Sequence, residues 1–237
     1  MSNGSEINIV KRDGRKFPLD INKIHNVVSF ACEGLSGVSM SQVEMNANIQ
    51  FYDGMSTNEI QDILIRSAND LISLEAPNYQ YVAARLLLYG VYKDVFGEYK
   101  HKSFIDMIKL NIERGVYDPQ ILDLYTEEEI DSLDKYIKLN RDENFTYAGL
   151  RQIVDKYLVQ DRSSGQIFES PQFMYMMIAA TLFANYPKED RLHYVRRYYD
   201  ATSLFKINIP TPVMAGVRTP VRQFASCVLV DSDDTLN

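Results

Sequence analysis

The chain has 237 residues, of which 46% are hydrophobic and 24% are charged, and its formal net charge is −7. These values are ordinary for a globular protein, and the length suffices for one large or two modest domains with a buried core. The acidic balance argues against a general nucleic-acid binder or a protein of anionic membrane surfaces.

Targeting and redox signals are sparse in this sequence. The polar residues 1–6 lack the apolar core of a signal peptide, and no segment reaches the roughly 18 unbroken apolar residues of a membrane helix. Two cysteines do not make a disulfide framework. We therefore expect a reducing, cytoplasmic compartment.

The first predicted element is a β-hairpin over residues 7–18. Short strand-like runs flank Asp13-Gly14, a dipeptide that strongly favours a hairpin turn. A helix is then predicted behind Asp20 as N-cap, because apolar residues follow at helical spacing.

Two capping-box patterns predict further helix starts in this region. They are Ser-Gln-Val-Glu at residues 41–44 and Ser-Thr-Asn-Glu at residues 56–59. A last helix is predicted over residues 79–96, with Gly97 at its end. Residues 1–97 therefore predict a small hairpin that caps about four helices.

Residues 98–206 predict a second, mainly helical region. Its predicted helices span residues 104–114, 126–139, 147–158, 171–185 and 188–204. A capping box is expected at Thr126 and Glu129. Ser163-Ser-Gly165 predicts a tight turn between two short strands, residues 157–160 and 166–169.

The composition changes again from Ile207, where Pro, Thr, Gly and β-branched residues dominate. A turn-rich stretch leads to Ser226-Cys227 and then to the apolar run 228–230, which we predict to be a strand. One strand cannot satisfy its own backbone groups, so it must pair within the chain or with another polypeptide. The predicted domains are therefore residues 1–97, 98–206 and 207–237.

The residues alone leave two interpretations of the basic hairpin open. Lys11, Arg12, Arg15 and Lys16 precede a helix start, where cations and free N–H groups can hold a polyphosphate. A charged hairpin is more often a solvated edge that is protected against pairing. The three histidines lie far apart in the sequence without metal-ligand spacing, so no metal site is predicted.

Several sequence strings together resemble a known family. Val10-Lys-Arg-Asp-Gly14, residues 50–57 (QFYDGMST) and residues 76–85 (APNYQYVAAR) resemble the ATP-cone of class I ribonucleotide reductases. The ATP-cone is the N-terminal allosteric module of the large, catalytic alpha subunit. The resemblance is to enterobacterial and T-even-type phage members, and it continues in order through residues 165–173 (GQIFESPQF) and 210–227.

The resemblance implies a mainly α fold. It implies an ATP-cone made of a β-hairpin cap on a helix bundle, then a helical domain, then the first strand of an α/β ten-stranded barrel that is completed elsewhere. ATP or dATP, with Mg²⁺, would be the allosteric effector of the cone. The implied effector-binding residues are Lys11, Phe17, Pro18, Leu19, Asp20, Ile21, Asn22, Lys23, Thr57 and Lys93. Gln61 and Gly90 stand where enterobacterial members have histidines that help to bind dATP.

The resemblance also assigns chemistry to the C-terminal segment. From the residues alone, a lone cysteine beside apolar residues is usually a small buried hydrophobe, and Cys32 is expected to be one. By resemblance, Cys227 is instead a redox-active reductant at the 2′-carbon of a ribonucleoside diphosphate. A thiyl radical elsewhere removes the 3′-hydrogen, the 2′-hydroxyl leaves as water, and Cys227 forms a disulfide with a second cysteine.

Further site residues follow from the same resemblance. Thr211 and Ser226 would contact the substrate nucleotide, Thr211 at its diphosphate and Ser226 at its ribose. Asp234, Thr235 and Leu236 would begin the specificity site, where a dNTP effector selects the base that is reduced.

The implied partners are other proteins of the reductase. They are a small di-iron subunit that generates the radical, and thioredoxin or glutaredoxin as reductant, with no nucleic acid or membrane partner. Because Cys227 needs a second redox thiol, we expect a split large subunit, completed by a C-terminal fragment, and no activity in the isolated chain.

Two other functions stay open at this point. The chain could be a non-catalytic, nucleotide-binding regulatory and assembly module, whose C-terminal segment is only an interface. It could also be a helical interaction protein without nucleotide chemistry.

Overall fold

The computed structural model describes residues 7–11, 14–97 and 102–229. Its strands are β1 (Asn8–Val10), β2 (Lys16–Pro18), β3 (Met55–Ser56), β4 (Gln160–Asp161) and β5 (Gln166–Ile167). Its α-helices are α1 (Ile21–Cys32), α2 (Met40–Asn48), α3 (Thr57–Asn69), α4 (Tyr79–Phe96), α5 (Phe104–Glu113), α6 (Gln120–Leu124), α7 (Glu127–Asp134), α8 (Tyr147–Gln152), α9 (Pro171–Leu182), α10 (Lys188–Ser203) and α11 (Thr211–Gly216).

The chain divides into two compact units. The first unit contains residues 1–100 and 140–155, and the second contains residues 101–139 and 156–237. The chain thus leaves the first unit, returns to it for α8 and leaves it again. The domain boundaries at residues 97 and 206 stay predictions, and they do not include this return.

The hairpin at the start of the first unit is confirmed. β1 and β2 are antiparallel, with Ile9 opposite Phe17. The sequence did not indicate that the two-residue strand β3 would pair in parallel with β1 on its other side. The Asn8 backbone N–H donates to Asp53 Oδ1 at 2.8 Å, which ties the loop before β3 to the hairpin.

Helix α4 is the centre of the first unit, because α1, α3 and α8 all pack against it. It is apolar on most of its circumference, as a helix surrounded by other elements must be. Leu86 has no exposed surface, and Val82 and Ala83 are equally buried. Gly97 ends α4 in the left-handed conformation, with φ of 79°, as expected from the sequence.

The helix starts of the first unit confirm one capping box and refute the other. Ser56 and Glu59 form the predicted box at α3. The predicted box at residues 41–44 is wrong, because α2 begins two residues earlier with Ser39 as N-cap. Glu44 therefore lies beyond the first turn, where Oε1 is 2.9 Å from His25 Nδ1.

The second unit is built around α9, of which the first ten residues are all buried. Tyr199 of the adjacent α10 donates a hydrogen bond from its hydroxyl to Gln172 Oε1 at 2.5 Å. The predicted capping box at Thr126 and Glu129 is confirmed at α7. The Glu129 carboxylate also pairs with Arg191, which is nearly buried.

The predicted β4–β5 turn is confirmed, although both strands are shorter than expected. The predicted helix over residues 147–158 is interrupted. α8 ends at Gln152, and a π-helical turn, Ile153–Tyr157, leads the chain toward β4.

The C-terminal segment differs most from the sequence-based expectation. A six-residue helix, α11, occupies part of the stretch predicted to be turn-rich. The prediction of a strand at residues 228–230 is not met in its described part, since Val228 and Leu229 are exposed and lie in no strand. No neighbouring strand of the described chain pairs with them.

No α-helix in the described ranges has the length and apolar composition needed to cross a lipid bilayer.

Candidate functional site

A cavity of about 840 Å³ opens in the first unit between the hairpin, α1, α3 and α4. This volume lies in the range that binds small molecules and cofactors. Eight of the predicted effector-binding residues line this cavity: Lys11, Phe17, Pro18, Leu19, Asp20, Lys23, Thr57 and Lys93. Ile21 and Asn22 belong to the same predicted set but do not line the cavity.

Ile21 and Asn22 are the first two residues of α1. The Asp20 side chain caps the helix by accepting from the Asn22 backbone N–H at 3.1 Å. The Ile21 residue is 63% exposed. Their predicted role in effector binding stays a prediction.

Three lysines give the first-unit cavity a positive rim. Lys11 Nζ lies 4.0 Å from the centre of the Phe17 ring, and Lys93 Nζ lies 4.4 Å from the centre of the Tyr89 ring. An ammonium group over an aromatic face keeps its charge and its hydrogen-bond donors available to an anion. Lys23 Nζ is 3.6 Å from Asp20 Oδ2, at the surface.

The start of α3 adds backbone donors to this rim. Thr57 is the first residue of the helix, and Asn58 follows it on the cavity wall. Backbone N–H groups in a first helical turn have no acceptor within the helix, and the helix dipole favours an anion there. α3 has 13 residues, so the dipole is well developed.

The α3 start is fixed by a hydrogen-bond network outside the cavity. Ser56 Oγ accepts from the Glu59 backbone N–H at 3.1 Å, and Glu59 Oε2 accepts from the Ser56 backbone N–H at 2.7 Å. The Tyr52 hydroxyl donates to Glu59 Oε1 at 2.6 Å. The Tyr52 hydroxyl, followed by the Ser56 groups, lowers the pKa of Glu59 to about 2.

The cavity wall between α3 and α4 is polar at Gln61. Gln61 Nε2 donates to the Leu86 carbonyl at 2.6 Å, which links α3 to α4. A Cβ on Gly90 would lie 3.6 Å from Gln61 Cγ, so these two residues are direct neighbours in the wall. The two positions that depart from the family pattern therefore meet at one place.

Sequence reasoning missed other residues of this cavity. Asn26, Asn58 and Tyr89 line it, and so do several apolar residues of α1 and α3. A usable signal existed for Tyr89, which lies four residues before Lys93 and therefore shares its face of α4. Asn26 and Asn58 carried no comparable signal, since surface asparagines are common.

The C-terminal site residues that the structure describes do not line the first-unit cavity. Thr211 is the first residue of α11, and its Oγ1 lies 3.2 Å from the Tyr157 hydroxyl. Ser226 and Cys227 are exposed, with Oγ and Sγ 3.8 Å apart. Within the described part of the chain, no hydrogen bond joins Thr211 to either of them. The predicted specificity residues Asp234, Thr235 and Leu236 lie outside the described residues.

The thiols and the acidic groups offer no other reactive centre in the described chain. Cys32 is half-buried, and burial raises the pKa of its thiol, so it is held as a neutral side chain. Residues 7–11, 14–97 and 102–229 contain no group of three His, Cys, Asp or Glu side chains placed to hold a metal ion.

The first unit is thus a helical bundle with a hairpin cap, and its cavity combines lysines, the N-terminus of α3 and aromatic rings. These groups fit the anionic phosphates and the aromatic base of a nucleotide. The fold and the cavity are those expected of a nucleotide-binding module, and the sequence of this unit alternates with that of the second, helical unit.

Comparison with known proteins gives the family. Residues 7–94 match the ATP cone domain, and residues 143–222 match the ribonucleotide reductase all-alpha domain. The chain is 50% identical over 229 residues to the ribonucleoside-diphosphate reductase 1 subunit alpha of Salmonella typhimurium, and 49% identical to that of Escherichia coli K12. It is 47% identical over 232 residues to the ribonucleoside-diphosphate reductase subunit alpha of Enterobacteria phage T4.

The chain contains an ATP cone domain and a ribonucleotide reductase all-alpha domain, and it is similar to the N-terminal region of ribonucleotide reductase alpha subunits. Each of these matches covers 97% of this chain but only 30% of the relative. The predicted family and the mainly helical fold class are confirmed.

Proposed function

We propose that the chain is the regulatory and substrate-contacting N-terminal part of a ribonucleoside-diphosphate reductase large subunit. The observation that supports this most is the first-unit cavity, where Lys11 and Lys93 meet the N-terminus of α3 inside a matched ATP cone domain. ATP or dATP, accompanied by Mg²⁺, would place its phosphates at these donors. Tyr89 and the apolar wall of the cavity would surround the base.

The catalytic contribution is a single thiol. Cys227 would donate hydrogen and electrons at the 2′-carbon of a ribonucleoside diphosphate, while the 2′-hydroxyl leaves as water. Two thiols must become one disulfide to supply two electrons and two protons. The sequence contains only Cys32 and Cys227, so the second redox thiol has to come from residues outside this sequence.

Activity therefore depends on partners. The large subunit has to be completed by the remainder of the fold, which we expect on a C-terminal fragment. A small di-iron subunit would supply the radical, and thioredoxin or glutaredoxin would return the disulfide to thiols. The cytosol of a bacterium, or of a phage-infected bacterium, is the compartment in which these partners meet.

The effector site can be tested with the chain alone. Lys93→Gln removes one phosphate-binding cation, and we expect ATP affinity to fall about 10-fold or more, the usual effect of losing one charged hydrogen bond. Isothermal titration calorimetry measures this change. Lys135→Gln is the matched control, because Lys135 pairs with Asp131 on the surface of the second unit. Absence of any heat of ATP binding to the unaltered chain would contradict the proposal.

One observation favours a second candidate function, a non-catalytic regulatory and assembly module. Ser226 and Cys227 are exposed, and the described structure shows no contact between them and Thr211. Cys227→Ser separates the two functions in a mixture with the completing fragment and the small subunit. The catalytic role predicts complete loss of CDP reduction, whereas the regulatory module predicts activity equal to that of the unaltered chain.

A further inference from the structure

A fully buried ion pair in the second unit joins Arg218, two residues after α11, to Glu169, two residues after β5. Neither Glu169 nor Arg218 has any exposed side-chain surface. Arg218 Nε lies 2.8 and 3.1 Å from the two carboxylate oxygens, and Nη2 pairs with Oε1 as well. Tyr117 donates from its hydroxyl to Oε2 at 2.5 Å, and the Val159 backbone N–H donates to Oε1 at 2.7 Å.

This arrangement keeps Arg218 charged. Burial alone would lower the pKa of its guanidinium, but the adjacent Glu169 carboxylate raises it. Burial also raises the pKa of Tyr117 well above its ordinary value, so its hydroxyl remains a donor. Both carboxylate oxygens of Glu169 therefore accept several hydrogen bonds, as a buried charge requires.

The rest of the Arg218 guanidinium reaches α11 and the π-helical turn. Nη1 donates to the Met214 carbonyl at 2.6 Å, and Nη2 donates to the Tyr157 carbonyl at 2.9 Å. The hydroxyl of the same Tyr157 lies 3.2 Å from Thr211 Oγ1. Tyr157 is thus connected to both ends of α11, directly at Thr211 and through Arg218 near Met214.

Buried ion pairs contribute little net stability, because the cost of removing both charges from water offsets their attraction. What this pair does provide is geometry, since a planar guanidinium with several fixed donors allows one arrangement of its partners. We propose that Tyr157 and the Glu169–Arg218 pair are positioning residues for Thr211, which they hold so that its hydroxyl binds the diphosphate of a nucleoside diphosphate substrate. This inference rests on the proposed substrate-binding function.

The hydroxyl pair explains how Tyr157 acts. A threonine hydroxyl has one proton and two acceptor lone pairs. When the Tyr157 phenol donates to Thr211 Oγ1, one lone pair of Thr211 is occupied and its proton remains for an anionic phosphate oxygen. Without the phenol, the Thr211 hydroxyl rotates freely and is not aimed at the substrate.

Hydrogen exchange tests the positioning in the chain alone. Arg218→Lys keeps the charge opposite Glu169 but loses the bonds to Met214 and Tyr157. We expect the amides of α11 to exchange at least about 10-fold faster, as they do when local opening becomes easier. Arg222→Lys is the matched control, because Arg222 pairs with Asp118 at the surface. In this variant, the amides of α11 should exchange at the same rate as in the unaltered chain.

Unchanged α11 exchange in Arg218→Lys would overturn the positioning role. If α9 also loses protection, the second unit has unfolded as a whole, and Tyr157→Phe then decides. This variant removes a single hydroxyl and should accelerate exchange in α11 but not in α9. Equal exchange of α11 in Tyr157→Phe and the unaltered chain would refute the inference.

Steady-state kinetics of the reconstituted reductase tests whether Tyr157 affects substrate binding. We expect Tyr157→Phe to raise KM for CDP about 3- to 10-fold, the effect of one hydrogen bond, with kcat nearly unchanged. In the double variant with Thr211→Val, the loss should equal that of Thr211→Val alone, because Tyr157 acts only through Thr211. Tyr136→Phe is the control, since its hydroxyl donates to Asp200 of α10.

The outcomes separate this inference from the proposed function. If the unaltered mixture reduces CDP but Tyr157→Phe leaves KM unchanged, the positioning role is wrong and the proposed function stands. The positioning role is also wrong if the losses of Tyr157→Phe and Thr211→Val add up in the double variant. If the unaltered mixture is inactive, the proposed function fails, and the exchange experiment still decides whether α11 is held by Arg218 and Tyr157.

Discussion

Glu59 shows how one side chain outside the first-unit cavity controls a group that lines it. Its carboxylate accepts from the Tyr52 hydroxyl and from the Ser56 backbone N–H, and so fixes the start of α3. Thr57 and Asn58, the next residues of α3, line the cavity. A residue that does not line the cavity therefore sets the direction of the N–H groups at this wall.

The acid sensitivity of the α3 start follows from the pKa of Glu59. This pKa is about 2 in the folded chain and has an ordinary value of 4.5. Because it is lowered on folding, the contribution of Glu59 to stability is complete above about pH 4.5 and is lost as the pH falls toward 2.

Replacing Tyr52 by Phe should shift this titration. Tyr52→Phe removes the largest cause of the shift, so we expect the pKa of Glu59 to rise toward its ordinary value. The carboxyl carbon chemical shift, followed by NMR against pH, reports this directly. Glu129, in the corresponding capping box of α7, serves as internal control and should titrate as before. An unchanged Glu59 titration would contradict the role of Tyr52.

At the scale of elements, α4 carries two glycines with opposite roles. Gly97 ends the helix at φ of 79°, a conformation that other residues adopt only with strain. Gly90 lies inside the helix, and a Cβ there would meet only Gln61 Cγ, at the ordinary contact distance of 3.6 Å. A glycine within a helix costs stability relative to alanine.

The same substitution at these two glycines should therefore change stability in opposite directions. We expect Gly90→Ala to stabilise the chain by about 0.5–1 kcal/mol and Gly97→Ala to destabilise it by about 1 kcal/mol. Urea denaturation followed by circular dichroism measures both, and each variant is the control for the other. If both substitutions change the free energy of unfolding in the same direction, the backbone conformation of the two glycines is not the cause of the stability changes.

Elements with strong local signals were predictable from the sequence. The Asp13-Gly14 turn predicted the hairpin, and the boxes at Ser56 and Thr126 predicted two helix starts, because each signal lies within four residues. Strand β3 was not predictable, since its two residues form a strand only by pairing with β1. The Ser41 box failed because Ser39 offered a competing cap two residues earlier.

The candidate site shows the same division between local and long-range information. Lys11, Thr57 and Lys93 followed from the resemblance, and the structure places all three on one cavity. The Glu169–Arg218 pair was not predictable, because its two residues lie 49 positions apart and neither belongs to a motif of charged residues. Contacts of this kind depend on packing that the sequence pattern does not record.

At the scale of the whole molecule, the first unit is not one continuous stretch of sequence. Helix α8 belongs to the first unit and packs against α4. Leu150 of α8 has no exposed surface, and the Tyr92 hydroxyl of α4 donates to Asp142 Oδ2 at 2.7 Å. The matched ATP cone domain ends at residue 94, so the part that covers α4 comes from the later domain match.

A buried charge at Leu150 should therefore damage the first unit. We expect Leu150→Asp to destabilise it by about 3–5 kcal/mol, the usual effect of an unpaired buried charge. Hydrogen exchange of α3 and α4 measures this loss. Leu133→Asp is the matched control, because Leu133 is equally buried on α7 of the second unit, and it should loosen α7 and α9 instead. Faster exchange in α9 but not in α4 for Leu150→Asp would contradict the division into two units.

The return of residues 140–155 also constrains how this protein is made and how it can evolve. A ribosome has to translate beyond residue 155 before the first unit can close, so its nascent helices keep an apolar face uncovered until then. Gene exchange faces a related limit. A crossover near residue 97 would transplant the first unit without its last helix, and only recombinants that inherit both pieces from one parent keep the packing of α8 on α4 intact.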